Sequence, residues 1–169
     1  MTSPTATVDP RLVLSEPELD AAVEQLILAE AAAWAAVEAG LAATQDGGPS
    51  PALGRGHWRA AFLIKRRPGL GVKELGALTG LSKQGASRVL RDLETAGFVQ
   101  KGLGEDARRR PAALTPAGRA FEAAGATRLR AALARAYRAA GVEHAAGARR
   151  VWSALAGSVR SPRAPEEGA

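Results

Sequence analysis

The sequence contains no cysteine, only two histidines and one methionine, and aromatic residues make up 4% of its 169 residues. The absence of cysteine excludes disulfide bonds and thiol-based switches, and it is typical of a cytosolic protein. The two histidines, His57 and His144, are too far apart to form a common metal-ligand motif. We therefore expect no metal site and no cofactor.

The sequence also lacks an uninterrupted apolar run of 18 residues, so no membrane span is expected. Residues 1–9 do not combine a basic patch with an apolar segment, so a secretory signal is not expected either. These absences predict a cytoplasmic protein without a membrane partner.

Motifs that carry catalysis are missing as well. The glycines between 69 and 80 lack the preceding strand and the final Gly-Lys-Ser/Thr of a phosphate-binding loop. No serine lies in the context of a nucleophile elbow. The sequence therefore predicts a protein that is not an enzyme.

Positive charge is concentrated in one part of the chain. The net charge is +6, and residues 55–110 hold 13 Lys and Arg against 5 Asp and Glu. The remainder of the chain holds 10 against 12. A basic segment of this kind favours a nucleic-acid partner for residues 55–110.

The same segment contains the pattern of two helices joined by a tight turn. Apolar residues recur at helical spacing from Val72 to Leu78, and Gly80 ends this helix because glycine tolerates a positive φ. Ser82 is a suitable N-cap for a second helix, and Gly97 is its expected end.

The second helix has one apolar and one polar face. We expect four residues to face the core: Ala86, Val89, Leu90 and Leu93. We expect five polar residues to face outward: Lys83, Gln84, Ser87, Arg88 and Arg91. Such side chains bind base edges or phosphates when a recognition helix enters the major groove.

A hairpin with a basic tip is expected to follow. Residues 98–101 alternate like a strand, residues 112–114 provide a return strand, and Arg108, Arg109 and Arg110 lie near the tip. Arginine on a projecting loop suits the narrow minor groove of DNA. The alternative is a solvated run of arginines without a ligand.

With these elements in place, the sequence resembles the MarR family of bacterial transcription regulators. The resemblance lies in Asp106-Ala107-Arg108 and Leu114-Thr115-Pro116-Ala117-Gly118. The stretches 82–84 and 88–93 are similar to the PetP-like branch of that family. The resemblance implies a mostly helical protein with a small β wing, in which a winged helix-turn-helix is joined to a helical dimerisation lobe. It implies DNA contacts at Ser82, Lys83, Gln84, Ser87, Arg88, Arg91, Arg108, Arg109 and Arg110, with Asp106 orienting the wing.

The terminal segments predict long amphipathic helices. We expect a disordered arm at 1–14, a dimerisation lobe from 15–45 and 116–159, a DNA-binding lobe at 55–115 and a disordered tail at 160–169. Six apolar residues are candidates for the dimer contact: Leu19, Val23, Leu133, Val151, Trp152 and Leu155. A monomer with a helical cap is the alternative.

The resemblance further implies a small-molecule effector bound between the lobes. Five residues of the first two helices are candidates for its site: Trp34, His57, Trp58, Arg59 and Phe62. Aromatic rings would stack on a planar ligand, and Arg59 would pair with its carboxylate. The alternative is that Trp58 and Phe62 belong to the ordinary core and His57 is a partly exposed residue at a helix start.

The predicted function is sequence-specific binding of double-stranded DNA by a homodimer, on a pseudo-palindromic operator, to repress or activate nearby genes. An alternative is a protein–protein interaction module that acts through a partner response regulator and binds DNA weakly. The PetP-like resemblance keeps this alternative open, because that branch is associated with a response regulator.

Overall fold

The computed structural model describes residues 14–43, 53–101 and 111–160. In these ranges the elements are α1 (Glu16–Ala42), α2 (Arg55–Arg66), α3 (Val72–Thr79), α4 (Lys83–Thr95), β1 (Val99–Lys101), β2 (Ala112–Leu114), α5 (Pro116–Ala140) and α6 (Val142–Arg160). The predicted class, mostly helical with a small β wing, is confirmed. Apart from residues 14 and 160, the predicted arm and tail lie outside the described residues.

Local signals in the sequence set the ends of these helices. At the start of α1, the backbone N–H and the hydroxyl of Ser15 both donate to the Glu18 carboxylate, at 2.7 and 2.6 Å. Gly80 ends α3 with φ of +72°, and Gly141 separates α5 from α6 with φ of +93°. These are the positions at which the sequence predicted a start or a stop.

A first core lies beneath the helix-turn-helix and the sheet. It is formed by buried residues of α2, α3, α4, β1 and β2: Ala60, Ala61, Ile64, Leu75, Val89, Leu93, Val99 and Leu114. In the sheet, β1 pairs antiparallel with β2, with Val99 opposite Leu114. This core fixes α4 and the base of the wing as one unit.

A second core joins α1, α2 and α5, where Val37, Leu41, Trp58 and Ala126 are buried together. The backbone of α5 approaches two of these side chains closely because a glycine, Gly125, lies at the contact. A Cβ atom added at Gly125 would lie 2.5 Å from Nε1 of Trp58 and 2.8 Å from Cγ1 of Val37. The indole N–H of Trp58 donates to the backbone oxygen of the nearby Glu122 at 3.2 Å.

The side chain of Glu122 is a fully buried charge between the two cores. Its Oε2 accepts a hydrogen bond from Nζ of Lys65, and its Oε1 lies 3.7 Å from Nη2 of Arg130. A buried carboxylate is retained only where cations offset its loss of hydration. Glu122 therefore links α2 electrostatically to α5.

Much of α1 and α6 has no cover in a single chain. Every residue from 14 to 32 is exposed, and so is every residue from 151 to 157. Five of the six candidates for the dimer contact are among them, and the sixth, Leu133, is exposed on α5. Large apolar side chains exposed in this number on two helices form a candidate contact surface.

By length and composition alone, α1 would also be long and apolar enough to cross a membrane. Its most apolar 18-residue window is 17% buried. The helix nevertheless carries Glu30, which pairs with two arginines of α2, and its C-terminal end packs into the second core. A charge pair and a packed end of this kind are typical of a helix in a water-soluble lobe.

Candidate nucleic-acid interface

The second helix of the helix-turn-helix, α4, starts from a well-defined cap. The hydroxyl of Ser82 accepts the backbone N–H of Gly85 at 3.1 Å. On α3, a Cβ atom added at Gly76 would lie 2.8 Å from the backbone oxygen of Leu81 in the turn. Glycine at this position therefore allows the close approach of α3 to the turn, and the cap then fixes the direction of α4.

The two faces of α4 are separated as the sequence predicts. Ala86, Val89 and Leu93 are buried, and Leu90 is half-buried. The outward residues Ser82, Lys83, Gln84, Arg88 and Arg91 are exposed, and Ser87 is half-buried. A face of donors on a helix held by its opposite side is the arrangement that major-groove readout requires.

One acidic side chain of α4 connects this face to the helix behind it. Oδ2 of Asp92 lies 3.1 Å from Nε2 of His57, at the start of α2, and 4.0 Å from Nε of Arg88. Nδ1 of His57 accepts the backbone N–H of Gly54 at 3.1 Å. His57, which the sequence placed among the effector candidates, is thus engaged with Gly54 and with α4.

The base of the wing is tied to the start of α5. The hydroxyl of Thr115 donates to the backbone oxygen of Gly97 at 2.6 Å and accepts the N–H of Gly118 at 3.0 Å. Phe98 stacks on Phe121 of α5, with ring centroids 4.8 Å apart. The predicted wing residues Asp106, Arg108, Arg109 and Arg110 lie outside the described residues.

A small cavity lies between α2 and α3. Its volume is about 200 Å³, and it is lined by Trp58, Arg59, Phe62, Leu63, Leu78 and Thr79. The rings of Trp58 and Phe62 form one wall, with centroids 5.4 Å apart. Three of the five effector candidates therefore line one cavity, whereas His57 and Trp34 do not line it.

Trp34 instead takes part in a charged contact between α1 and α2. The guanidinium of Arg55 lies 5.3 Å from the centroid of the Trp34 ring. Both Arg55 and Arg59 donate to Oε1 of Glu30, at 2.9 and 2.8 Å. The hydrogen bond from Arg59 and the charge of Arg55 lower the pKa of Glu30.

Sequence reasoning missed three acidic residues that organise this region: Glu30, Asp92 and Glu122. Each lies on a helix whose pattern marks it as an ordinary surface charge. The nearest partner of each lies far away in the sequence. Glu122 is 57 residues from Lys65, Asp92 is 35 residues from His57, and Glu30 is 29 residues from Arg59. The sequence did contain a signal for the role of His57. It lies three residues after Gly54, the position from which a side chain can accept the backbone N–H of the residue that caps a helix.

Three comparisons with known proteins agree with this geometry. The sequence model described as MarR family matches residues 51–110, which include α2, α3, α4 and β1. The HTH-type transcriptional regulator PetP of Rhodobacter capsulatus is 41% identical over 103 residues, which cover 60% of this chain. The match spans 62% of the length of that regulator.

Solved structures extend the likeness to most of the chain. The crystal structure of a MarR family transcription regulator shares 26% identity with a TM-score of 0.63, covering 82% of this chain and 88% of that one. The MarR family protein Rv2887 of Mycobacterium tuberculosis, in complex with salicylic acid, shares 25% identity with a TM-score of 0.57. That match covers 86% of this chain and 98% of Rv2887.

Proposed function

We propose that the chain is a member of the MarR family, and that it is a cytoplasmic, sequence-specific regulator of transcription. It binds double-stranded DNA as a homodimer on a pseudo-palindromic operator. The proteins that it matches by sequence are regulators rather than enzymes.

The observation that carries this proposal is the outward face of α4. Gln84 and Arg88 are exposed on a helix whose opposite face is buried in the first core. Glutamine bonds adenine in two places, and arginine bonds guanine in the same way. Lys83 and Arg91 add charge at the ends of this face and would contact phosphates, which position the helix without reading sequence.

The homodimer is supported by the apolar surfaces of α1 and α6. Leu19, Val23, Val151 and Trp152 are about half-exposed or more, and a second copy would cover them. Two-fold symmetry would then present two α4 helices to successive major grooves, which lie roughly 34 Å apart on B-DNA. In this arrangement 15–45 and 116–159 form the dimerisation lobe, and 55–115 forms the DNA-binding lobe.

The wing completes the proposed interface. The residues at its base are fixed by Thr115 and by the pairing of β1 with β2. The family pattern assigns Arg108 to the minor groove, Arg109 and Arg110 to phosphates, and Asp106 to the orientation of Arg108. These four roles stay predictions.

We further propose that a small aromatic carboxylate regulates DNA binding from the cavity of Trp58, Arg59 and Phe62. Rv2887 forms a complex with salicylic acid, and this cavity offers rings and a cation of matching chemistry. Ligand pockets for drug-sized molecules span roughly 300–1,000 Å³. A cavity of about 200 Å³ therefore suits a ligand with one ring.

The carboxylate of Glu30 would compete with this ligand. Arg59 lines the cavity and donates to Glu30 on α1. A ligand carboxylate that takes Arg59 therefore releases a contact between α1 and α2. Because α1 belongs to the dimerisation lobe and α2 to the DNA-binding lobe, this exchange would couple occupancy of the cavity to the placement of α4.

Titration with salicylate tests the effector site. Tryptophan fluorescence would report binding, and release of a DNA duplex would report regulation, with benzamide as the uncharged control. We expect Glu30→Gln to bind salicylate more tightly than the wild type, because a neutral amide competes weakly for Arg59. Glu38→Gln, on the same exposed helix, should match the wild type. If Glu30→Gln bound salicylate no more tightly than the wild type, the proposed competition between Glu30 and the ligand would be contradicted.

Selection of DNA from a random-sequence library by the purified protein tests the main proposal. We expect one enriched pseudo-palindromic sequence, and an affinity that falls steeply with salt because phosphate contacts release counterions. Weak binding without any enriched sequence would contradict it and would favour the protein–protein interaction module that works through a response regulator.

A further inference from the structure

The start of α2 is built differently from the starts of α1 and α3. In α1 and α3 a glutamate at the third helical position, Glu18 or Glu74, accepts the backbone N–H of the cap residue at 2.7 or 3.0 Å. In α2 this position is held by His57, whose Nδ1 accepts the N–H of Gly54 at 3.1 Å. A glutamate would cap α2 equally well, so capping alone does not explain a histidine.

The second ring nitrogen of His57 supplies the explanation. Because the N–H of Gly54 can only donate, Nδ1 carries no proton, and the ring proton lies on Nε2. Nε2 then donates to Oδ2 of Asp92 on α4, at 3.1 Å. A glutamate at this position could only accept, and its charge would repel Asp92. The neutral histidine satisfies both helices at once.

The contact reaches the outward face of α4 through Asp92. The same Oδ2 atom lies 4.0 Å from Nε of Arg88, one helical turn earlier. The side chain of Arg88 is 82% exposed, whereas that of His57 is 16% exposed. A partly buried group of α2 is therefore connected, through one carboxylate, to an arginine that faces the proposed DNA.

Apolar packing of α4 contains no directional bond. Ala86, Val89 and Leu93 hold the helix against the core, but the hydrophobic effect is non-directional. A hydrogen bond is directional, and one to a charged acceptor is stronger than a neutral one. The bond from His57 to Asp92 therefore adds a directional restraint on how α4 is turned about its axis.

We propose that His57 is a positioning residue for base recognition, which fixes the rotation of α4 through Asp92 and holds the carboxylate that orients Arg88. This inference rests on the proposed function, in which α4 reads DNA. His57 itself does not contact DNA. Its loss should lower the preference for the correct sequence more than the affinity for DNA in general.

Two variants separate the cap from the contact with Asp92. In His57→Asn, the amide oxygen takes the place of Nδ1, so the cap is kept and the reach to Asp92 is lost. In His57→Gln, the amide nitrogen takes the place of Nε2, so the contact with Asp92 is kept. The probes are the duplex that the wild type enriches from a random-sequence library and a scrambled duplex of the same length and composition.

We expect His57→Asn to lose about tenfold in affinity for the enriched duplex, since it removes a hydrogen bond to a charged group. Its affinity for the scrambled duplex should change less than about twofold, because phosphate contacts dominate there. His57→Gln should stay within about threefold of the wild type on both duplexes. The two variants should lose similar thermal stability, because each removes one of the two hydrogen bonds of His57.

A double-mutant cycle completes the test. In an Asp92→Ala background, His57→Asn should cause no further loss of affinity for the enriched duplex. Equal losses for the asparagine and glutamine variants, equal losses on both duplexes, or additive losses in the cycle would each overturn the inference. A library that yields no enriched duplex would instead refute the proposed function, and the inference with it.

Discussion

The close contact between α5 and the other two helices of the second core makes a quantitative prediction for Gly125→Ala. In an open helix this change stabilises by roughly 1 kcal/mol. Here the new Cβ atom would lie 2.5 Å from Nε1 of Trp58 and 2.8 Å from Cγ1 of Val37. Both side chains are buried, so neither can move aside freely.

Two costs oppose the gain in helix propensity. Overpacking of a core costs about 1–3 kcal/mol. Displacement of Trp58 would also stretch the 3.2 Å bond from its indole N–H to the backbone oxygen of Glu122, and a buried donor left without a partner costs about 1–3 kcal/mol. The costs exceed the gain, and we expect a net destabilisation of about 2 kcal/mol.

Thermal unfolding at one fixed protein concentration measures the effect, because the stability of a dimer depends on concentration. For a chain of this size, 2 kcal/mol corresponds to a fall in Tm of about 4–8 °C. The matched control is Gly147→Ala on α6, where an added Cβ atom meets nothing within 4 Å. We expect this control to raise stability by about 0.5–1 kcal/mol.

The opposite signs of the two alanine variants are the essential result. In a Trp58→Phe background, the smaller ring should relieve part of the cost of Gly125→Ala, so the two changes should not be additive. If Gly125→Ala raised Tm as much as Gly147→Ala, the packing argument for the second core would be refuted.

Three further predictions concern the proposed function. Gln84→Ala should relax the preference at one base pair per half-site by about 1–3 kcal/mol, measured by repeating the library selection; an equal loss on random DNA would mean that Gln84 positions rather than reads. Arg108→Ala should weaken operator binding by about 1–3 kcal/mol and lower the salt slope by about one unit; identical titrations of variant and wild type at two salt concentrations would contradict the minor-groove role. Trp152→Ala should convert the dimer to a monomer in sedimentation velocity, because a large aromatic side chain is lost from the proposed contact; a wild type that sediments as a monomer would contradict the dimer itself.

The elements of the fold were accessible from sequence because their signals are local. Ser15, Gly80, Ser82 and Gly141 set helix ends through bonds and dihedral angles that span a few residues. The apolar stripe of α4 likewise depends on spacing within one helix. The order of these signals along the chain is sufficient to predict the winged helix-turn-helix.

The charged contacts could not be predicted, because they join residues far apart in the chain. Glu122 lies among alanines on a helix that carries several arginines, and only the tertiary structure buries it beside Lys65. His57 is a sequence candidate for the effector site together with its neighbour Trp58, yet successive helical residues point in directions about 100° apart. Its ring therefore meets Asp92, whereas Trp58 enters the second core and lines the cavity.

One consequence follows from the continuity of α5, which runs from Pro116 to Ala140 without a break. It starts at the base of the wing and ends beyond the second core, so it serves as a rigid spacer of about 37 Å. One residue inserted after Ala126 would turn everything beyond it by about 100° relative to the wing. Seven inserted residues would restore the original facing to within about 20°. Only certain lengths of α5 should therefore give a folded, DNA-binding dimer. The half-site spacings that such dimers can span should be limited to the same few values.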